Sequence, residues 1–205
     1  MEDFAVALVA FARERQRERG WRGPAIIAIN GRSGAGKSTL AKAVAELSGG
    51  VVLEADDLMW WEPMWQWAPL AVQGVLEPLH RGADVHLVPP QWKSRGREGS
   101  IAIPNDTPVV VFEGNGSSQL AFAEYLAASV WVQSDCEVAR ERGLARDIES
   151  GVNGSPEQAG AFWDEWDRSE VAFHEADMPW FRADFTLLGT ADPMPTPGTV
   201  RIARG

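Results

Sequence analysis

The stretch "INGRSGAGKSTLAKAVAELSGG", residues 29–50, decides how the chain is read. Gly31 to Ser38 fit the pattern G-x-x-x-x-G-K-[ST], which a chain of this length matches by chance with a probability on the order of 1%. The apolar run PAIIAI (24–29) before it predicts a fully buried strand, and the residues after it predict a helix from Lys37 to Leu47. A strand–turn–helix of this kind is the setting of a phosphate-binding loop. Its glycines let successive backbone N–H groups close around phosphate oxygens, and the helix N-terminus adds a favourable dipole. Gly31, Ser33, Gly34, Ala35, Gly36, Lys37, Ser38 and Thr39 are therefore the expected ATP contacts. Lys37 would reach the β- and γ-phosphates, and the Ser38 hydroxyl would ligate Mg2+.

The same stretch ends in Leu47-Ser48-Gly49-Gly50, which looks like the signature of a transporter ATPase. That signature opens a helix far downstream of the phosphate loop. Here it closes the loop's own helix, so Gly49-Gly50 reads as a C-terminal stop before the next strand.

Outward from the loop, VVLEA (51–55), PVVVFEG (108–114), SVWVQ (129–133) and ADFTLLG (183–189) repeat the buried-strand pattern, each with a polar or small residue at its end. Residues 2–19 predict a helix with Phe4, Leu8 and Phe11 on one face and a solvated charged end, RERQRER. Ser134-Asp135-Cys136-Glu137 reads as a capping box for a helix to about Ser150, and Ser155-Pro156-Glu157-Gln158 as a second. The second helix puts Phe162, Trp163, Trp166 and Phe173 on one stripe, read as core, with Glu170 inside it. Strands alternating with helices imply an α/β fold, a parallel sheet with helices on both faces. The proline-rich tail DPMPTPGTVRIARG is expected to lie loosely on the surface.

The 205 residues suit one domain, 1–205. Nineteen Lys and Arg against 29 Asp and Glu give a net charge of −10, which argues against nucleic-acid or anionic-membrane surfaces. No apolar run reaches the ~20 residues of a membrane span, and the N-terminus carries acids where a secretory signal carries bases. With one cysteine, Cys136, no internal disulfide can form; a cytoplasmic protein is the expectation. His80, His86 and His174 show no metal-ligand spacing.

A GTPase would need a guanine-reading Asn-Lys-x-Asp, which is missing. After the second strand comes Asp56-Asp57, where a small-molecule kinase places the carboxylate that takes a proton from the acceptor hydroxyl. The third strand closes on Glu113-Gly114. With the phosphate loop and the arginine-bearing helix ending Arg146-Asp147-Ile148-Glu149-Ser150-Gly151, these marks resemble the uridine kinase-like family of P-loop kinases, over residues 24–151. The resemblance implies a P-loop NTPase fold, a five-stranded parallel sheet of order 2-3-1-4-5, and a small arginine-bearing lid. It also implies ATP- and Mg2+-dependent phosphorylation of a hydroxyl. The family's Asp-x-Phe-Tyr is Asp56-Asp57-Leu58-Met59 here, and no counterpart of its nucleoside-pocket hairpin is legible.

Within that frame Asp56, Lys37, Arg142 and Arg146 are the expected catalytic groups, and Ser38 and Glu113 the expected metal ligands. Asp57, Trp60, Trp65, Trp92 and Glu113 are the expected acceptor contacts. Arg142 and Arg146 stand four apart on one helix face, although Glu137, Glu141 and Asp147 compete for them and for Arg140. The acceptor insert is about 57–100 and the lid about 140–156, with the hinge-like SGVNGSP at 150–156. Trp65 and Trp67 sit in a strand or a helix that the sequence does not decide. The insert from Asp56 to Trp92 holds one arginine, Arg81, and no lysine. An uncharged nucleoside-like acceptor is thus expected over a monophosphate, unless Lys93-Ser94-Arg95-Gly96-Arg97 folds back to supply cations. Kinases of monophosphates, sugars or acids, and a non-catalytic ATP-binding regulator, are the alternatives. The oligomeric state is left open.

Overall fold

The computed structural model describes residues 1–189 and the strand at 202–204. Its strands are β1 (Ala25–Gly31), β2 (Val51–Glu54), β3 (Val85–Leu87), β4 (Ile101–Ile103), β5 (Val109–Glu113), β6 (Ala128–Gln133), β7 (Phe185–Leu188) and β8 (Ile202–Arg204). The main sheet runs β2-β5-β1-β6-β7-β8. Its first five members are parallel, and counted alone they have the expected order 2-3-1-4-5. β8 adds an antiparallel sixth strand on β7. The tail expected to lie loosely is therefore partly sheet, and its residues 190–201 and 205 fall outside the described residues.

The helices are α1 (Glu2–Glu18), α2 (Lys37–Ser48), α3 (Ala55–Met59), α4 (Ala68–Ala71), α5 (Glu77–His80), α6 (Pro90–Ser94), α7 (Cys136–Ser150) and α8 (Pro156–Asp177). A π turn over Val72–Leu76 runs α4 into α5. Every residue of β1 is buried, because its side chains alternate between two cores. Ile27 and Ile29 face Phe4 and Leu8 of α1 and Leu40 and Val44 of α2. Ile26 and Ala28 face Leu58, Trp67, Leu76, Trp92 and Phe112. Burial of these faces excludes water from the strand ladder and orders the carboxyl ends of β2, β5, β1 and β6 along one edge, where α/β proteins bind ligands.

Most helix ends follow the sequence. Gly49 closes α2 in the left-handed conformation, and Ser155 with Gln158 forms the full capping box of α8. The α7 start is one residue later than expected: Asp135, not Ser134, caps it, accepting from the N–H groups of Glu137 and Val138. A carboxylate accepts both bonds with full charge, which a hydroxyl at the previous position does not match. The charged end of α1 is also less solvated than expected, since Arg15 pairs with Asp184 at 2.7 Å and Arg13 donates to the Ser48 carbonyl.

The larger departure lies between β2 and β5. An antiparallel ribbon, β3 with β4, pairs Val85 with Ile103 and Leu87 with Ile101, in the region where no hairpin was legible in the sequence. Each strand has only three residues, too short for a period-two signal. Trp65 and Trp67 belong to neither strand nor helix. Trp65 sits in a left-handed conformation at φ 63°, and Trp67 is 1% exposed against Phe112 and Phe122.

Where α7 crosses α8, Gly143 has no room for a side chain. A Cβ there would stand 2.1 Å from the Trp163 ring, which is buried and held by a 2.8 Å bond from its Nε1 to Asp147. Gly143→Ala is expected to destabilise the protein by about 1–3 kcal/mol through overpacking. Urea unfolding compares the two proteins, and an unchanged midpoint would show that Trp163 yields without cost.

Candidate active site

The loop between β1 and α2 makes the floor of the main cavity, which encloses about 500 Å³. Gly34 and Gly36 have φ of +80° and +94°, conformations costly for other residues. At Gly34 sterics add a second demand, because a Cβ would lie 1.9 Å from the Ala139 carbonyl oxygen of α7. Lys37 opens α2 and is buried, its Nζ donating to the Arg32 carbonyl at 3.0 Å. Burial holds its ammonium below the usual lysine range, and Glu113, Glu170 and Asp56 oppose that shift.

Parallel pairing puts Glu54 opposite Glu113 at the ends of β2 and β5. Register partners share a face, so both carboxylates meet the loop from one side. Glu113 is buried and accepts from Ser38 Oγ at 3.2 Å. Asp56 lies in the first turn of α3, directly after β2. All three carboxyls are raised above their ordinary range, in each case chiefly by burial. For Asp56, Lys37 and Arg146 pull back toward ionisation, as does a hydrogen bond with Trp60.

The cavity gathers Ser33, Gly34, Lys37, Ser38, Asp56, Trp60, Glu113 and Arg146 of the expected residues. Gly31, Ala35, Gly36 and Thr39 belong to the loop and the start of α2 without lining the cavity. Four expected contacts are elsewhere. Asp57 turns aside to Arg97 at 2.5 Å. Trp92 is packed in the core, its Nε1 donating to the Asp57 carbonyl while Arg97 stacks on its ring at 3.6 Å. Trp65 stacks on Phe173 at 4.2 Å and donates to Ser169. Arg142 reaches the Gly189 carbonyl at 3.4 Å rather than the cavity. Core packing recruits these aromatic rings because a large ring removed from water stabilises more than one left at a cleft.

Several lining residues have no motif to announce them. Glu54 and Asn115 flank the two strand ends, and Asp147, Asn153 and Val152 come from the end of α7 and the turn after it. Phe162, Trp163 and Trp166, read as core, line the same cavity as Asp56, and only Phe173 of that stripe stays outside the lining. Their helical spacing was visible; which side of α8 faces a cavity was not. Among the described residues no group of three or more His, Cys, Asp or Glu is arranged to hold a metal, and no helix is long and apolar enough to cross a membrane.

Comparison of the sequence with family models finds no match, and comparison with curated proteins finds none either. Solved structures do match. D-glycerate 3-kinase from Cryptococcus neoformans var. grubii superposes with a TM-score of 0.57 at 11% identity, over 98% of this chain and 99% of that one. The YGR205w protein superposes with a TM-score of 0.58 at 12% identity, over 99% and 98%. The chain shares the fold of these two proteins. At such identities the likeness shows the fold alone, and it leaves the chemistry to the residues of the cavity.

Glu113 gives a test independent of activity. A carboxyl whose folded pKa is raised favours the folded state below its unfolded pKa, and that contribution is lost as pH rises through the folded value. Glu113→Gln removes an ionisable group whose burial is unfavourable when charged. The variant is expected to melt higher than the parent above the ordinary glutamate range, with the gap closing as pH falls. Calorimetric melting across pH checks this; a lower melting temperature at neutral pH would show that the charge is compensated.

Proposed function

We propose that this protein is an ATP-dependent small-molecule kinase, transferring the γ-phosphoryl group to a hydroxyl of a neutral, nucleoside-like acceptor. One observation carries the reading: a complete phosphate loop, with Lys37 and Ser38, shares a single cavity with the Asp56 carboxyl, whose pKa is raised. The loop amides and Lys37 would hold the phosphates of ATP. The donor set fits a hard cation, since the Ser38 hydroxyl and Glu113 carboxylate already touch. Mg2+ bound by Ser38 and Glu113 would neutralise charge on the phosphate oxygens.

Asp56 would take the acceptor's hydroxyl proton as the oxygen forms its bond to phosphorus and the bridging oxygen to the β-phosphate leaves. Its raised pKa suits that task, because a stronger base accepts the proton more readily. Arg146, at the cavity wall but paired with Asp147 at 2.8 Å, would offset charge on the transferred group. Arg142 would need to leave Gly189 to join it. The lid, residues 140–156, would exclude water that otherwise consumes ATP, and the insert at 57–100 would shape the acceptor end.

The acceptor's charge follows from the lining. Among the described residues Lys37 and Arg146 are its only cations, against Glu54, Asp56, Glu113 and Asp147. The cations of residues 93–97 do not reach in; Arg97 is spent on Asp57. A dianionic monophosphate would be desolvated with little to pair with, whereas Trp60, Phe162 and Trp166 offer ring faces to a base or sugar.

Asp56→Asn is expected to keep Mg-ATP affinity and lose about 100-fold or more in transfer. Asp57→Asn should be milder, because Asp57 is held by Arg97 outside the cavity. In the parent, activity should rise with pH through an acidic limb displaced above the ordinary aspartate value, a limb missing from the residual rate of Asp56→Asn. Calorimetry with Mg-ATP and pH–rate profiles read both; greater damage from Asp57→Asn would move the base by one residue.

A panel of nucleosides, their monophosphates, sugars and hydroxy acids tests the acceptor. Nucleosides or another neutral alcohol should turn over fastest. Faster transfer to monophosphates would overturn the charge argument, and Mg-ATP binding with no transfer to any of them would favour a regulatory protein.

A further inference from the structure

Glu170 is the most deeply buried charged side chain of α8, at 1% exposure, and the transfer chemistry above gives it no part. Burying a carboxylate costs several kcal/mol unless donors surround it. Here they do, and they come from both sides of the cavity floor. Its Oε1 accepts from the backbone N–H of Ser33 at 2.9 Å and from Asn115 Nδ2; its Oε2 pairs with Arg32 Nε at 2.9 Å. Arg32 and Ser33 are the leading arm of the phosphate loop, and Asn115 follows Glu113-Gly114 at the end of β5. One turn earlier on α8, Asp167 takes Arg32 at 3.2 Å and Arg140 of α7 at 2.6 Å, while Trp166 Nε1 donates to Ser33 Oγ at 3.0 Å.

We propose that Glu170 is a positioning residue that clamps the leading arm of the phosphate loop to the Asn115 wall, fixing the distance between bound phosphate and acceptor. Only a carboxylate serves, because an acceptor-only group can receive three converging donors, whereas an amide would set its own N–H2 against one of them. Ser33 spends its N–H on Glu170, so nucleotide is held by the amides after it. Transfer, which needs both walls in register, depends on the clamp more than nucleotide affinity does. This rests on the kinase reading, but the clamp itself can be read without activity.

The experiment compares the parent, Glu170→Gln, Arg32→Gln and the double variant, with Glu170→Asp as the charge-retaining control should Glu170→Gln fail to fold. Hydrogen exchange should rise about 10-fold or more in peptides covering 30–36 and 114–119, and stay unchanged over 128–133. Mg-ATP affinity should hold within about threefold, while transfer to the best acceptor of the panel, or to water, falls about 10- to 100-fold. The double variant should be no slower than the slower single one, since both changes open the same clamp. Glu170→Asp keeps the charge but is too short to hold both walls, and should show the same local exchange with a smaller loss of rate. Parent-level exchange and rate in folded Glu170→Gln would overturn the clamp and leave the kinase reading standing. So would affinity and rate falling together with a collapse in melting temperature. A parent that binds no Mg-ATP, like its Lys37→Ala variant, would sink the kinase reading, while the exchange data would still decide whether the clamp exists.

Discussion

The backbone contact between Gly34 and Ala139 is the constraint on which the rest of the site depends. With no side chain at Gly34, the first turns of α7 can lie directly on the phosphate loop. That approach fixes where α7 runs, and Gly143 one turn further on lets Trp163 of α8 close against it. The turn at residues 151–155 then returns the chain as α8, whose side chains Trp163, Trp166 and Glu170 come down onto the same loop. Two missing side chains thus set the height of the cavity roof.

Electrostatics works in the opposite direction, holding apart what packing brings together. Asp56 and Glu113 converge on Lys37, with Glu54 beside them and Arg146 the only other cation lining the cavity among the described residues. The raised pKa values of these carboxyls record the cost, and in the proposed kinase bound phosphate would add further negative charge. A cation at Ser38 and Glu113 would offset that excess. The arginines that could have met the demand are mostly engaged: Arg32 and Arg140 with α8, Arg97 with Asp57, Arg146 with Asp147.

The acidic–basic lattice between α7, α8 and the loop also distinguishes the two ends of these helices. Arg32 and Arg140 bind three carboxylates of α8 spaced by single helical turns, Asp164, Asp167 and Glu170. Glu170 is buried and Asp167 mostly so, and removing the arginine opposite either would leave a charge short of partners. The far ends of the two helices, around residues 150–156, carry no such ties to the loop.

The parallel order 2-3-1-4-5 was implied by the family resemblance, whereas the sequence by itself determined the phosphate loop, the Gly49 stop and the placing of Asp56 and Glu113 at strand ends. Each of these is local, written in the glycine spacing, apolar runs and caps of a short contiguous stretch. Tertiary structure decided the rest. Whether Trp60 or Trp92, Asp56 or Asp57, and Arg142 or Arg146 lines the cavity depends on which face of its element meets the core. Adjacent residues have nearly identical local signals, so only packing separates them. The β3–β4 ribbon escaped for a related reason, since three-residue strands are stabilised by their neighbours and not by any pattern of their own. Glu170 was visible in its stripe, but its partners lie 55 and 137 residues away, and only the folded chain brings them together.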